Sequence, residues 1–288
     1  MSFVFSQPGA EIYIPDGAPE SAALARVSHV IVGAHQDDIE FMGFPLIKDA
    51  YGTAAPRLAG VVMSNGAGSP RSGVYADCSD ADMQEIRRRE QRLAADVGHY
   101  AALAQLRFSS KDLRNADNPA PANELAQLLR AMHPETVMTH NLADKHDTHV
   151  ATALNVIRAI RTLPKSERPA KLIGGEIWRG LDWVSDKEKL RLDASGRDAL
   201  AAALMGVFDS QIAGGKRYDL ATFGRRRANA TYGDPHAVDD FEQVVYAIDM
   251  TPMIEDDHLV PEAFIMGFVK RFSDELLATL RSAGATAL

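Results

Sequence analysis

The sequence predicts an α/β protein: a Rossmann-like, doubly wound, mostly parallel sheet with helices on both faces. Two observations predict it. Short apolar runs rich in β-branched residues recur along the chain, as suits strands buried on both sides. Between them lie longer stretches with helical periodicity and short connections, the alternation that winds a parallel sheet. VSHVIVGA (27–34) is the first strand, and LAGVVMSNG (58–66) is the second, ending in a glycine turn. A polar helix follows over 80–98, opened by Asp80 and Asp82 and closed by Gly98. LRFSS (106–110) gives a third strand, 123–132 an amphipathic helix stopped at Pro134, and ETVMTH (135–140) a fourth strand. The next helix, 147–162, carries Val150, Leu154, Val156, Ile157 and Ile160 at apolar positions. Further on, 171–178 and 189–195 read as strands, 197–211 as a long helix, 242–250 as a late strand and 261–283 as a closing amphipathic helix. Residues 1–26, rich in Pro, Gly and small side chains, read as a lead-in arm. No repeat or linker interrupts the pattern, so residues 1–288 are expected to form one domain, with its motif-bearing core at 27–165.

Composition narrows the function. A chain of 288 residues, 46% apolar and 24% charged, can bury a large core and has the balance of a soluble globular enzyme. Lys and Arg total 31 against 39 Asp and Glu, a net charge of -8 that argues against a nucleic-acid-binding face. The run Arg225-Arg226-Arg227 is too short to reverse this and reads as a solvated helix face or a salt-bridge cluster. Cys78 is the single cysteine, which rules out an intramolecular disulfide and a Cys-based zinc site. The N-terminus lacks the basic flank and apolar core of a secretory signal, and stretches such as 199–208 fall short of a membrane span. The expectation is a cytoplasmic protein in a reducing compartment, with homo-oligomerisation left open.

Two segments carry chemistry. Ala34-His35-Gln36-Asp37-Asp38-Ile39-Glu40 follows the first strand, at the carboxyl end where open α/β sheets bind ligands. A lone histidine there would more often be structural. A histidine beside adjacent carboxylates needs a cation or a hydrogen-bond network to absorb the charge. The second segment, Thr139-His140-Asn141-Leu142-Ala143-Asp144-Lys145-His146-Asp147-Thr148-His149, follows the fourth strand. His146 and His149, three apart at a helix start, project from one face. If the two strand ends are neighbours, the clusters converge and supply the three N/O ligands and open position of a catalytic zinc site. Iron, cobalt and manganese also fit such ligands.

AHQDDIE with DKHDTH resembles the two motifs of the PIG-L (LmbE-like) family of zinc-dependent N-deacetylases, proteins like GlcNAc-PI de-N-acetylase. The family pattern is AHPDDE or AHPDDIE after the first strand and an HxxH, commonly HPDH, opening a later helix. The resemblance runs over residues 27–165, with weaker marks at the glycine turn after the second strand, at Arg87 and Glu90, at Asp112, and at Ser210-Gln211. Carried over by position, it implies metal ligands at His35, Asp38 and His149 for Zn2+. It implies a general base at Asp37, and at His146 a protonated group that stabilises the oxyanion or protonates the leaving amine. Arg87 and Asp112 match positions that contact sugar hydroxyls, though a structural salt bridge is nearly as good a reading of each. The implied partner is a small N-acetylated, sugar-like molecule.

Three departures stand out. Gln36 replaces the usual proline, Phe44-Pro45 replaces a glycine pair, and Thr148 replaces the carboxylate before the second liganding histidine. Asp144 is then expected to support the site by bonding to His146. Trp178 and Trp183, with Arg179 and Asp182, read as core packing before a sugar-stacking wall. His99, His133, His236 and His258 lack partners at ligand spacing, and Tyr232-Gly233-Asp234-Pro235-His236 is a turn. Other readings are a metal-dependent amidase on a non-sugar or glycopeptide amide, and a catalytically inactive relative that binds. A nucleotide-binding module is disfavoured, because GAHQDD offers carboxylates where phosphate needs N–H donors.

Overall fold

The computed structural model describes residues 3–55 and 57–284. In chain order the elements are β1 (Glu11–Tyr13), α1 (Glu20–Ala25), β2 (His29–Gly33), α2 (Asp38–Ala50), β3 (Leu58–Ser64), α3 (Asp80–Val97) and β4 (Ala102–Phe108). Then come α4 (Ser110–Arg114), α5 (Ala120–Met132), β5 (Thr136–His140), α6 (Asp147–Arg161), β6 (Lys171–Gly175) and β7 (Leu190–Asp193). The last are α7 (Asp198–Gly206), α8 (Asp209–Ile212), α9 (Tyr218–Thr231), β8 (Val244–Asp249), α10 (Pro252–Glu255) and α11 (Pro261–Ser282).

Eight strands form one sheet in the order β1-β4-β3-β2-β5-β6-β8-β7. The central run from β4 to β6 is parallel, while β1, β8 and β7 pair antiparallel at the two sides. The expected doubly wound α/β architecture is present, its sheet parallel in the core. Every residue of β3 and of β5 is buried, which is why these strands read as continuous apolar runs without alternation. Alternate residues of β2 feed two cores. Val30 and Val32 pack with Leu125, Leu129, Val156 and Ile160 on one face. Ile31 packs with Ile39, Phe44, Ile47, Tyr100 and Leu103 on the other.

The chain switches direction at β2, with β3 and β4 on one side and β5 and β6 on the other. The register His29↔Thr136, Val30↔Val137, Ile31↔Met138 therefore sends the two motifs out of the same edge side by side.

Some elements differ from the sequence expectation. The lead-in arm contains the edge strand β1 and helix α1. The third strand starts at Ala102, because the alanine-rich run ahead of Leu106 has no β-branched residue to mark it. Residues 197–211 divide at Val207–Phe208 into α7 and α8. Neither α2 nor α9 was anticipated. α2 is buried almost all round, so it lacks a polar face, and it contains Gly43 and Pro45. α9 is polar and holds Gly224 in its middle. Among the described residues no helix is long and apolar enough to cross a membrane.

Gly43 lets α2 lie directly on β2: a Cβ there would run into the Ile31 side chain. Gly43→Leu is expected to destabilise the protein by about 1–3 kcal/mol through overpacking, measured by urea unfolding.

Candidate metal centre

The loop from β2 into α2 sets out three side chains in four residues. His35 leaves the strand end, Asp37 takes a positive φ of 93° as it turns the chain, and Asp38 opens the helix. A non-glycine residue pays conformational energy for such a φ, and the loop is correspondingly well held. The Asp37 N–H donates to Gln91 Oε1 (3.0 Å), and the His35 N–H donates to Asp38 Oδ2 (2.7 Å). From the neighbouring strand, His140 accepts the Ala34 N–H at Nε2 (2.9 Å), which stitches the two motif loops together.

His149 stands on the first turn of α6 and is 2% exposed. Its Nδ1 meets Asp144 Oδ2 at 3.1 Å, so the Nδ1–H is held and Nε2 faces the first motif. There, His35 Nδ1 lies 3.2 Å from His149 Nε2 and 3.3 Å from Asp38 Oδ2, and Asp38 Oδ2 lies 3.4 Å from His149 Nε2. A tetrahedral zinc ion with ligand bonds of about 2.0–2.1 Å needs donor atoms about 3.3 Å apart. The triangle fits. His35, Asp38 and His149 form a group able to hold a metal ion, and a second triad, His140, Asp144 and His149, shares one of its members.

Electrostatics separate the two aspartates. Burial would raise Asp38, but the His149 and His140 imidazoles hold it well below the usual carboxylate range. Burial pushes Asp37 well above that range, against the pull of the Arg87 guanidinium 3.2 Å away and with the push of Asp38. Burial lowers His35 to about 4, leaving a neutral ring with a free lone pair.

His146 caps α6: its Nδ1 accepts the Thr148 N–H at 3.2 Å. That bond places the proton of the neutral ring on Nε2, and burial lowers the pKa of the ring. In its neutral form His146 therefore offers an N–H donor at Nε2. The expected bond from Asp144 to His146 is present, made to the backbone and not to the ring: Oδ1 accepts the His146 N–H (2.8 Å), and Oδ2 also holds His149.

Arg87 lies in the wall of the cavity, yet its guanidinium is engaged by Asp37, the Gln36 carbonyl and the Ser69 hydroxyl. It is spent on positioning the Asp37 loop. Asp112 does not line the cavity: it closes a capping box with Ser109 at the start of α4. Glu90 and Ser210 face each other (2.6 Å), which brings α8 and Gln211 to the cavity rim. Sequence reasoning passed over His140, although it ends β5 within a quoted segment, and missed Tyr218 because α9 was not recognised. It also missed Gln91, whose partner Glu40 is raised to about 7 by burial. Of the tryptophans, Trp183 packs edge-on against Phe268 as expected, whereas Trp178 lines the cavity beside Tyr218 (6.0 Å), with Phe41 beyond (5.4 Å). The cavity, about 630 Å³, opens over His35, Asp38 and His149.

Fold and site together define an α/β protein with a His–Asp–His group able to hold a metal ion at its switch point. Residues 30–160 match the family model described as PIG-L, GlcNAc-PI de-N-acetylase. No curated protein matches the sequence. Several solved structures are similar in fold. A conserved protein from Thermus thermophilus is 17% identical, with a TM-score of 0.60, over 77% of this chain and 94% of its own. The 4-carboxy-2-hydroxymuconate hydratase GalB from Pseudomonas putida is 16% identical, with a TM-score of 0.55, over 77% and 95%. The N,N'-diacetylchitobiose deacetylase from Pyrococcus horikoshii is 12% identical, with a TM-score of 0.57, over 80% and 85%. A hydratase beside a deacetylase means that the fold alone does not select the reaction.

Asp144→Asn leaves the His149 ring without its anionic anchor. Metal affinity is expected to fall about 10–100-fold, read by metal titration of the apoprotein, with the fold retained by circular dichroism.

Proposed function

We propose that this chain, acting as one cytoplasmic domain, is a zinc-dependent hydrolase that removes an N-acyl group, acetyl in the first instance, from an amino sugar or sugar conjugate. The observation that carries the reading is the pairing of a tetrahedral donor triangle with a separate buried carboxylate of raised pKa. An amide resists water because nucleophile and leaving group are both poor, so the site must improve each. Zinc held by His35, Asp38 and His149 would lower the pKa of coordinated water to about 7 and polarise the acyl oxygen.

The chain's own groups then manage protons and charge. Arg87 occupies Asp37 Oδ2, which leaves Oδ1 to take the proton from the attacking water. The new C–O bond puts negative charge on the former carbonyl oxygen, and His146 Nε2–H donates to it; losing one such donor costs about 2.7–4 kcal/mol of barrier. As the C–N bond breaks, the proton held by Asp37 passes to the leaving nitrogen, and Asp37 returns to its starting state. Substrate choice rests on two supports: the family description and the aromatic wall of Phe41, Tyr218 and Trp178, which suits the apolar face of a sugar ring.

His149→Ala is expected to abolish zinc retention. Asp37→Asn should keep zinc and lose about 10²–10⁴-fold in turnover. Both are measured by elemental analysis together with acetate release from N-acetylglucosamine conjugates. Wild-type protein without bound metal would favour a binding protein. Metal without acetate release would favour a different amide. Full turnover by Asp37→Asn would remove the mechanism.

His146→Ala, by the same assay, is expected to lower kcat about 100-fold or more with zinc content unchanged, since it takes away an oxyanion donor and no ligand.

A further inference from the structure

Helix α2 carries Asp38 on its first turn and has Pro45 in its interior. A proline has no N–H, so the carbonyl four residues earlier, Phe41 O, loses its helical donor, and a buried orphan carbonyl is costly. The missing bond is made from outside. Arg226, on α9 and 2% exposed, places Nη2 at 3.0 Å from Phe41 O and 2.8 Å from Glu40 O, with its guanidinium 4.7 Å from the centre of the Phe44 ring. No carboxylate pairs with this guanidinium among the described residues; Glu40 contributes its backbone only. A cation so deeply buried would not be held there unpaired unless its hydrogen bonds repaid part of the desolvation.

The same helix α9 forms one wall of the cavity through Tyr218, Thr222, Arg225 and Arg226 itself, and Tyr218 touches Phe41 on α2. Arg226 sits one residue beyond Arg225, so the bond that repairs α2 also fixes where that wall stands.

We infer that Arg226 is a positioning residue: it supplies the hydrogen-bond donor that Pro45 removes from the metal-bearing helix, and through that bond it fastens the α9 wall to the site. The inference rests on the deacetylase reading only where turnover is measured. It assigns Arg226 two separable effects. One acts on α2 and hence on Asp38 as a metal ligand. The other acts on α9 and hence on substrate binding.

The test uses the full chain in four forms: wild type, Arg226→Met, Pro45→Ala, and both together. Arg226→Met is expected to weaken zinc binding about tenfold, the lower end for loss of a group that supports a ligand. It should also raise KM for an N-acetylglucosamine conjugate about tenfold, the scale of one lost charged hydrogen bond. In the double variant an N–H at position 45 can bond Phe41 O again but cannot tether α9. Zinc affinity should therefore return to within about twofold of wild type while KM stays high. Wild-type zinc affinity and KM in Arg226→Met would overturn the inference. So would failure of Pro45→Ala to restore zinc affinity, or restoration of both quantities together, which a general folding role would give. Should Arg226→Met not fold, Arg226→Lys keeps one donor and is expected to hold zinc like wild type; a tenfold loss there overturns the inference equally. Zinc titration needs no turnover. Absence of acetate release by wild type would sink the functional reading and leave this one to be decided by the metal data.

Discussion

β2 and β5 lie side by side in the middle of the sheet, and the ladder between them is what makes a site out of two distant stretches of chain. His29 pairs with Thr136, and the parallel register continues upward until Ala34 donates its N–H to the His140 ring. From that seam one loop carries His35, Asp37 and Asp38 and the other carries Asp144, His146 and His149. Because both strands are buried and parallel, neither can slip by a residue without turning core side chains to the wrong face. The donor triangle inherits that rigidity.

Three carboxylates, Asp37, Asp38 and Glu40, fall within four positions at a buried helix start, and such crowding must be neutralised. Each is treated differently. Asp38 faces imidazoles. Asp37 faces Arg87. Glu40 accepts from Tyr100 and Gln91, with its carboxyl shifted upward by burial. Part of this support comes from one helix, α3, whose buried face presents Arg87 to Asp37 and Gln91 to Glu40. The positive φ at Asp37 is held by the same helix, through Gln91. A polar helix in sequence thus turns out to be the scaffold of the centre.

The central strands, α3, α5 and α6 were legible because their burial patterns write directly into residue type: β-branched runs for strands, capping and periodicity for helices. The motif residues were legible because a histidine beside adjacent carboxylates at a strand end needs a cation or a hydrogen-bond network, and because the two segments resemble a known pair of motifs. Other features were hidden for physical reasons. α2 is apolar all round and broken by Gly43 and Pro45, so no amphipathic signal survives. Asp112 looked like a ligand contact, yet Ser109 three residues earlier is also the signature of a helix cap, and the cap won. That Asp144 holds the His149 ring as well as the His146 backbone depends on a ring orientation that spacing does not encode.

Gln36 stands where the resembling family has proline, and its side chain does work that a ring would do by stiffness: Nε2 donates to Ser64 O at 3.2 Å, pinning the loop to the end of β3. The space it needs is lent by Gly66, whose φ of 74° suits glycine and where any side chain would strike the Gln36 amide and crowd Arg87. Positions 36 and 66 are consequently not free to drift apart over evolutionary time. A lineage that restores a compact residue at 36 frees some of the room at 66, whereas one that first adds bulk at 66 dislodges the turn and the aspartate that follows it.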